Sequence, residues 1–148
     1  MNINKAGLEL IEHFEGLRLD AYKCAAGRLT IGYGHTGADV YPGEHIDEAT
    51  AEDILAHDLE KFSRAVDAMT EDCNENQFSA MVSLAYNTGL QNFATSSVRR
   101  LHNAGRCAEA ANAFLLWNKA RVGGVIKVLP GLTKRREAER ELYLREEA

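Results

Sequence analysis

Three side chains near the N-terminus carry groups that can move protons. Glu15, Cys24 and Thr30 follow one another with eight and then five residues between them. A carboxylic acid can protonate a leaving oxygen, and a second group can activate water or attack the carbon on the other side of the bond. This combination suits hydrolysis of a glycosidic bond, although the second group is more often a carboxylate than a thiol.

The role of Cys24 stays open at this level. A free thiol has a reference pKa of about 8.5, so most of it is protonated at neutral pH unless its surroundings favour the thiolate. Lys23 and Arg28 are close enough in sequence to provide that influence. Cys24 is therefore a candidate base or a candidate nucleophile, and it is equally compatible with being a bystander. Thr30 offers a hydroxyl that can orient a water molecule.

The elements around these residues follow from periodicity and glycine placement. Apolar residues recur at helical spacing over about 4–13, which predicts a short helix with Glu15 at its exit and Gly16 as its stop. The negative end of the helix dipole favours a protonated carboxyl there, as a general acid requires. Alternating residues around a glycine turn predict a β-hairpin over 17–35, and 36–46 is predicted to be a loop.

The rest of the chain is predicted to be helical. Asp47 is a suitable N-cap for the longest helix, 48–69, which we expect to connect two lobes. Further helices are predicted at 75–87, 97–103, 107–120 and 132–146. The segment 107–120 is dense in apolar and small residues and is predicted to be the central core helix. The segment 123–131 is predicted to be a loop because glycines and a proline flank its valines.

Composition narrows the classes of protein and of partner. A chain of 148 residues with 45% apolar and 26% charged residues fits one soluble domain. The net charge of −5 argues against a nucleic-acid partner. The three cysteines form no CxxC pair, so no metal site, cofactor or disulfide framework is indicated. No apolar stretch is long enough for a membrane span, and no signal peptide is apparent, so we expect no membrane insertion.

Two long motifs resemble the opening of the phage-type lysozymes, the endolysins of the phage lysozyme family. The first is LIxxFEGxRLxAY at residues 10–22, and the second is GxxTIGYGHT at residues 27–36. Segments within 76–89, 114–117 and 129–140 are also similar to that family, so the resemblance covers almost the whole chain. The family's catalytic spacing is a Glu, an Asp or Cys, and a Thr, which Glu15, Cys24 and Thr30 match.

The resemblance implies an α+β, mostly helical, lysozyme-like fold. A small lobe of about 14–60 would carry a hairpin or three-stranded sheet. The helix 48–69 would connect it to a larger all-α lobe formed by 1–13 and 70–148, with a cleft between the lobes. The implied activity is hydrolysis of the β-1,4 bond between N-acetylmuramic acid and N-acetylglucosamine in peptidoglycan. Glu15 would be the general acid, and Thr30 would place the water.

Several other residues also receive expectations. Tyr86, Asn87 and Ser97 are candidate glycan contacts, although core or capping roles are as compatible with their types. His35 is expected to fix the glycine-rich turn, and Trp117 to lie in the core. One of the two arginines at 135 and 136 is expected to pair with Glu15.

Two alternatives remain at the level of function. A relative that binds peptidoglycan with little catalysis is possible because Cys24 stands where a carboxylate is usual. A lytic transglycosylase is the other alternative, since that reaction uses one acid and no second group. The resemblance further implies a monomer that stays in the cytoplasm of the host bacterium until a holin-type lesion releases it.

Overall fold

The computed structural model describes residues 1–24 and 26–146, in which helices predominate. The helices are α1 (Lys5–Glu15), α2 (Glu48–Met69), α3 (Glu75–Thr88), α4 (Leu90–Ala94), α5 (Ser97–Asn103), α6 (Cys107–Ala113) and α7 (Pro130–Leu144). The strands are β1 (Arg18–Lys23), β2 (Leu29–Gly32), β3 (His35–Thr36), β4 (Lys119–Val122) and β5 (Val125–Val128). The expected α+β, mostly helical class with a small three-stranded sheet is confirmed.

The chain divides into two compact units. The small unit is Ile11–Lys61, and the large unit is Met1–Leu10 together with the chain from Phe62 onward. Helices α1 and α2 each contribute residues to both units. Within the described residues, no helix is both long and apolar enough to cross a membrane.

The small unit is built on an antiparallel sheet of order β1-β2-β3. Tyr22 pairs with Thr30, and Ile31 pairs with His35, across the two junctions of the sheet. The free side of β1 is covered by the loop before α2, because Ile46 N–H donates to Leu19 O at 2.9 Å. The buried side chains of this unit include Ile11, Ile31, Tyr33, Val40, Ile46, Ala51, Leu55 and Leu59.

The central helix of the large unit is α3. Residues 78–85 are all buried, as expected of a helix that other elements surround. Its start is fixed by a capping box in which the Asn74 side chain accepts from Gln77 N–H, while the Gln77 side chain accepts from Asn74 N–H. At residue 7 of α1 a side chain would collide with Ser79, since an added Cβ would lie 2.5 Å from Ser79 Cβ. A glycine there allows the two helices to touch.

The sequence-based expectation for 107–131 is wrong in two respects. The expected long core helix ends at Ala113 and is followed by a short 3-10 turn over Phe114–Leu116. The expected loop is instead the second strand of a hairpin formed by β4 and β5, so the large unit is not all-helical. Gly123 and Gly124 both adopt positive φ, 57° and 81°, which is the conformation that a tight hairpin turn requires. The glycines form the turn and leave the flanking β-branched residues free to pair.

Candidate active site

Glu15 is the last residue of α1, and its side chain is half-buried. Gly16 ends the helix with a φ of +71°. The glycine-rich turn after β2 lies directly against the carboxyl group, because a Cβ added to Gly34 would lie 2.7 Å from Glu15 Oε1. Gly34 also has a φ of +82°, which disfavours any other residue. The close approach of this turn limits where the carboxyl group can lie.

Cys24 and Thr30 are brought together by the hairpin of β1 and β2. Cys24 follows β1 directly, and its N–H donates to Arg28 O at 2.9 Å. Thr30 lies opposite Tyr22 and is almost fully buried. Residues two apart on a strand share a face, so Cys24 and Thr30 are diagonal neighbours. The Thr30 hydroxyl can donate to Arg28 O, at 3.1 Å, or to the thiolate of Cys24.

The hairpin favours the ionised form of Cys24. Hydrogen bonds from the backbone N–H of Arg28 and of Ala26, and from the Thr30 hydroxyl, lower the pKa of the Cys24 thiol, outweighing the opposing effect of desolvation. Lys23 and Arg28 were expected to provide this influence as cations, whereas the backbone of Arg28 provides the largest contribution. A lowered pKa increases the thiolate population near neutral pH, which a base or a nucleophile needs.

His35, at the start of β3, joins the sheet to α2. Its Nδ1 lies 2.6 Å from Asp58 Oδ2, and its Nε2 lies 3.1 Å from Asp39 Oδ1. Burial disfavours the imidazolium, but the hydrogen bonds to the two carboxylates outweigh it and raise the pKa of His35. In the protonated ring both nitrogens donate, so the charged form satisfies both contacts.

The three candidate glycan contacts all lie in the large unit. Tyr86 is half-buried near the end of α3, with its ring 5.2 Å from that of Phe62 in an edge-to-face arrangement. Asn87 is exposed one residue later. Ser97 is the first residue of α5, and Ser96 before it provides the cap by accepting from Arg99 N–H. Ser97 therefore has no capping role that would account for its side chain.

An open groove of about 420 Å³ lies beside Asn87 in the large unit. Trp117 lines it together with Lys119, and Trp117 is half-buried after the 3-10 turn. The expectation that Trp117 lies in the core of an apolar helix is therefore wrong. Arg136, whose side chain is fully buried, is also among the residues that line the groove.

Arg136 also belongs to a buried cluster of charges. Arg135, Arg136 and Glu139, all on α7, and Ser83 on α3 are fully buried or nearly so. The Ser83 hydroxyl donates to Glu139 Oε2 at 2.5 Å, and Arg136 Nη2 donates to the same oxygen at 3.1 Å. Arg135 Nε donates to it as well, at 3.3 Å. Burial raises the pKa of Glu139, and the two guanidiniums oppose that shift.

Among residues 1–24 and 26–146, no group of three or more histidine, cysteine or acidic side chains could hold a metal ion. The arrangement in the small unit instead provides an acid, a thiol with a stabilised thiolate, and a hydroxyl. This combination can carry out acid and base steps on one substrate.

The sequence profile of the phage lysozyme family matches residues 12–139, which contain all of these features. The chain belongs to the phage lysozyme family. An endolysin of Bacillus phage B103 is 48% identical over 147 residues, covering 97% of this chain and 54% of the relative. An endolysin of Acyrthosiphon pisum secondary endosymbiont phage 1 is 40% identical, covering 97% of this chain and 98% of the relative.

Structural similarity supports the same membership. The muramidase domain of SpmX from Asticaccaulis excentricus is 39% identical and superposes with a TM-score of 0.92, covering 98% of this chain and 99% of that one. This chain of the phage lysozyme family spans about half the length of the Bacillus phage endolysin and nearly all of the endosymbiont phage endolysin.

Two features of this phage lysozyme chain were not found from its sequence. Glu139 was not singled out from the sequence. It lies four residues after Arg135 and three after Arg136 on one helix, and both spacings favour an ion pair. The contact of His35 with Asp58 joins residues 23 apart, and no local pattern marks it.

Proposed function

We propose that this chain is an endolysin-type muramidase that hydrolyses the β-1,4 bond between N-acetylmuramic acid and N-acetylglucosamine in peptidoglycan. The observation that carries the proposal is the hairpin that stabilises the Cys24 thiolate beside Thr30, in the same unit as a half-buried Glu15. Membership of the phage lysozyme family supports peptidoglycan as the substrate.

In the proposed reaction, Glu15 donates its proton to the glycosidic oxygen as the bond from that oxygen to the anomeric carbon of the muramic acid breaks. A water molecule held by Thr30 gives a proton to the Cys24 thiolate, and its oxygen forms the new bond to that carbon. The products are two sugar ends, one reducing. Glu15 has lost one proton and Cys24 has gained one, so exchange with solvent restores both.

The second role available to Cys24 is direct attack on the anomeric carbon. That route forms a thioglycosyl intermediate, which water then hydrolyses. Water attack inverts the configuration at the carbon, whereas two successive displacements retain it. The anomer released first, observed by NMR before mutarotation, distinguishes the two routes, and a mass increase on the peptide that contains Cys24 would identify the intermediate.

We further propose that Tyr86, Asn87 and Ser97 contact the glycan from the large unit. Asn87 and Ser97 offer an amide and a hydroxyl that can bond sugar hydroxyls. Tyr86 presents an aromatic ring that can stack on a sugar face. The groove that Asn87 lines provides space for a polymer segment.

The test compares the parent protein with Glu15→Gln on purified sacculi. We expect release of reducing ends to fall by about 100-fold or more, because the amide cannot donate a proton to the leaving oxygen. Glu9→Gln is the matched control, since Glu9 lies on the same helix with its side chain largely exposed. Cleavage by Glu15→Gln at the parental rate would refute the assignment of Glu15.

The mass of the released products separates the alternatives. Hydrolysis adds one water to the cut bond, whereas a lytic transglycosylase leaves a 1,6-anhydro end that is lighter by one water. Sacculi that retain the protein without releasing any fragment would identify a binding relative with little catalysis.

A further inference from the structure

The β4–β5 hairpin exposes apolar residues that nothing in the proposed reaction uses. Val122, Val125, Ile126 and Val128 are 44%, 55%, 60% and 55% exposed. Single apolar residues on a surface are common, but this short hairpin exposes apolar residues on both faces, Val122 and Val125 on one and Ile126 and Val128 on the other. A hairpin that exposes apolar residues in this way can contact an apolar phase or another apolar surface.

The apolar and charged residues are ordered along the hairpin. Val122 pairs with Val125 around the two-glycine turn, so residues 122–125 have no charged side chain. Behind the tip, Arg121 pairs with Ile126, and Lys127 pairs with Ala120. Arg121 is held close to the turn, because its Nη1 donates to Gly124 O at 3.0 Å. The hairpin therefore has uncharged side chains at residues 122–125, with the Arg121 guanidinium beside the turn and Lys127 two strand residues behind it.

The charge of this region is opposite to that of the whole chain. The chain carries a net charge of −5, yet residues 110–134 contain four exposed cations and no aspartate or glutamate. Arg135 and Arg136, which follow, are buried and paired with Glu139. Three of the four exposed cations, Lys119, Arg121 and Lys127, lie on the hairpin. An isolated basic region on an acidic protein indicates a partner with negative charge.

We propose that the β4–β5 hairpin docks this protein on the surface of an anionic phospholipid bilayer. The valine tip enters the boundary between headgroups and acyl chains, and Arg121 and Lys127 contact the phosphates at the level of the headgroups. An anionic polymer in water would bind the cations but would leave the valines exposed. Docking of this kind needs no spanning helix, so it is compatible with the absence of one among the described residues.

The test is co-sedimentation with vesicles of equal parts phosphatidylglycerol and phosphatidylcholine, at about 50 mM salt. We expect the parent to bind these vesicles and to bind pure phosphatidylcholine vesicles much less. The double variant Val122→Ser with Val125→Ser should bind about tenfold more weakly, because it removes the apolar tip. Arg121→Gln with Lys127→Gln should also bind more weakly and should lose most of the salt dependence.

Matched variants control for composition and charge. Tyr41→Ser with Leu144→Ser removes two exposed apolar residues elsewhere, and Lys5→Gln with Lys61→Gln removes two exposed positive charges. Both controls should bind like the parent. The tip variant should still cleave purified sacculi at the parental rate, and its thermal unfolding should match the parent's. The vesicles contain no glycan, so failure of this proposal and failure of the proposed muramidase activity are distinguishable.

Three results would overturn the docking proposal. The first is absence of binding by the parent to phosphatidylglycerol vesicles at low salt. The second is unchanged binding by the serine double variant, which would show a purely electrostatic contact with no role for the tip. The third is a concentration-dependent dimer in sedimentation velocity that the same variant abolishes while vesicles bind neither protein, which would identify a second copy as the occupant.

Discussion

The pKa of the Cys24 thiol is shifted in the direction opposite to that of Cys73. Hydrogen bonds from Arg28 N–H, Ala26 N–H and the Thr30 hydroxyl lower the pKa of Cys24, whereas burial raises that of Cys73. The thiolate is the form that reacts with alkylating agents. The two thiols therefore provide an internal comparison within one molecule.

We predict that iodoacetamide modifies Cys24 about tenfold faster than Cys73 at neutral pH. Thr30→Val should slow the reaction of Cys24 by removing one hydrogen bond to the thiolate, and it should leave Cys73 unchanged. Peptide mass mapping over a time course measures both rates. If the proposed reaction needs the thiolate, activity should rise with pH through the lowered pKa of Cys24, and Thr30→Val should move that rise to higher pH. Equal rates for the two cysteines would contradict the prediction.

Gly34 must be a glycine for two reasons, its positive φ and its close approach to Glu15. Gly43 shares only the first of these. Both Gly34 and Gly43 have a φ of +82°, but an added Cβ lies 2.7 Å from Glu15 Oε1 at Gly34 and meets nothing within 4 Å at Gly43. We predict that both alanine variants lose about 1–2 kcal/mol of stability from backbone strain. Only Gly34→Ala should also lose activity on sacculi, because it displaces the Glu15 carboxyl. Equal activity of the two folded variants would show that the contact does not matter for function.

At the scale of single residues, the contact within one hairpin was predicted from the sequence. The contacts between residues that are far apart in the sequence were not. Cys24 and Thr30 are adjacent because a short turn joins their strands, which glycine placement already indicated. The contact of Gly34 with Glu15 depends on where α1 ends relative to the sheet, and local spacing contains no such information.

At the scale of elements, His35 connects β3 to α2 through Asp58. The folded-state pKa of His35 is raised, so the contact stabilises the protein fully below the unfolded pKa of about 6.5, and this stabilisation is lost as pH rises through the raised value. We predict that Asp58→Asn costs about 1.5–3 kcal/mol at about pH 5.5 and progressively less at alkaline pH. Urea unfolding across that range measures the difference.

The control is Asp53→Asn, an exposed position on the same helix. It should change stability by less than about 0.5 kcal/mol at every pH. A cost for Asp58→Asn that stays constant with pH would mean that the charge of His35 contributes nothing to the contact.

Helices with a clear period and a cap were predicted well from sequence. The helix 48–69 has the bounds that periodicity indicated, and Asp47 caps it by accepting from Thr50 N–H at 2.7 Å. The hairpin at 119–128 was missed because Gly123 and Gly124 were interpreted as breaking the strand rather than as turning it. The short helix α4 was also missed, since five residues are too few to show a period.

At the scale of the whole molecule, the large unit depends on a carboxylate that balances two buried guanidiniums. Glu139 is fully buried, and it accepts from Ser83, Arg135 and Arg136. We predict that Glu139→Gln costs about 3–5 kcal/mol, because it removes a buried negative charge that pairs with two buried guanidiniums. Thermal or urea unfolding measures the loss.

Glu141→Gln is the matched control on the same helix. Glu141 pairs with Arg145 at 2.6 Å, but both side chains are about half exposed, so this variant should cost less than about 1 kcal/mol. Similar costs for the two variants would show that burial adds nothing to the pairing of Glu139. Periodicity alone would not have revealed this difference, because it assigns charged residues on α7 to the solvent.

Asn76 on α3 is bonded to residues near both ends of the chain. Its Oδ1 accepts from Asn4 Nδ2 at 2.8 Å, and its Nδ2 donates to Arg145 O at 3.0 Å. A ribosome releases Asn4 well before Arg145, so the large unit cannot complete this junction until Arg145 has been released. The small unit, Ile11–Lys61, is continuous and has emerged by then. Asn4 is therefore synthesised early but reaches its final hydrogen bonds late. Because residues 4 and 145 both bond to Asn76, they are close enough for a circular permutant to join them.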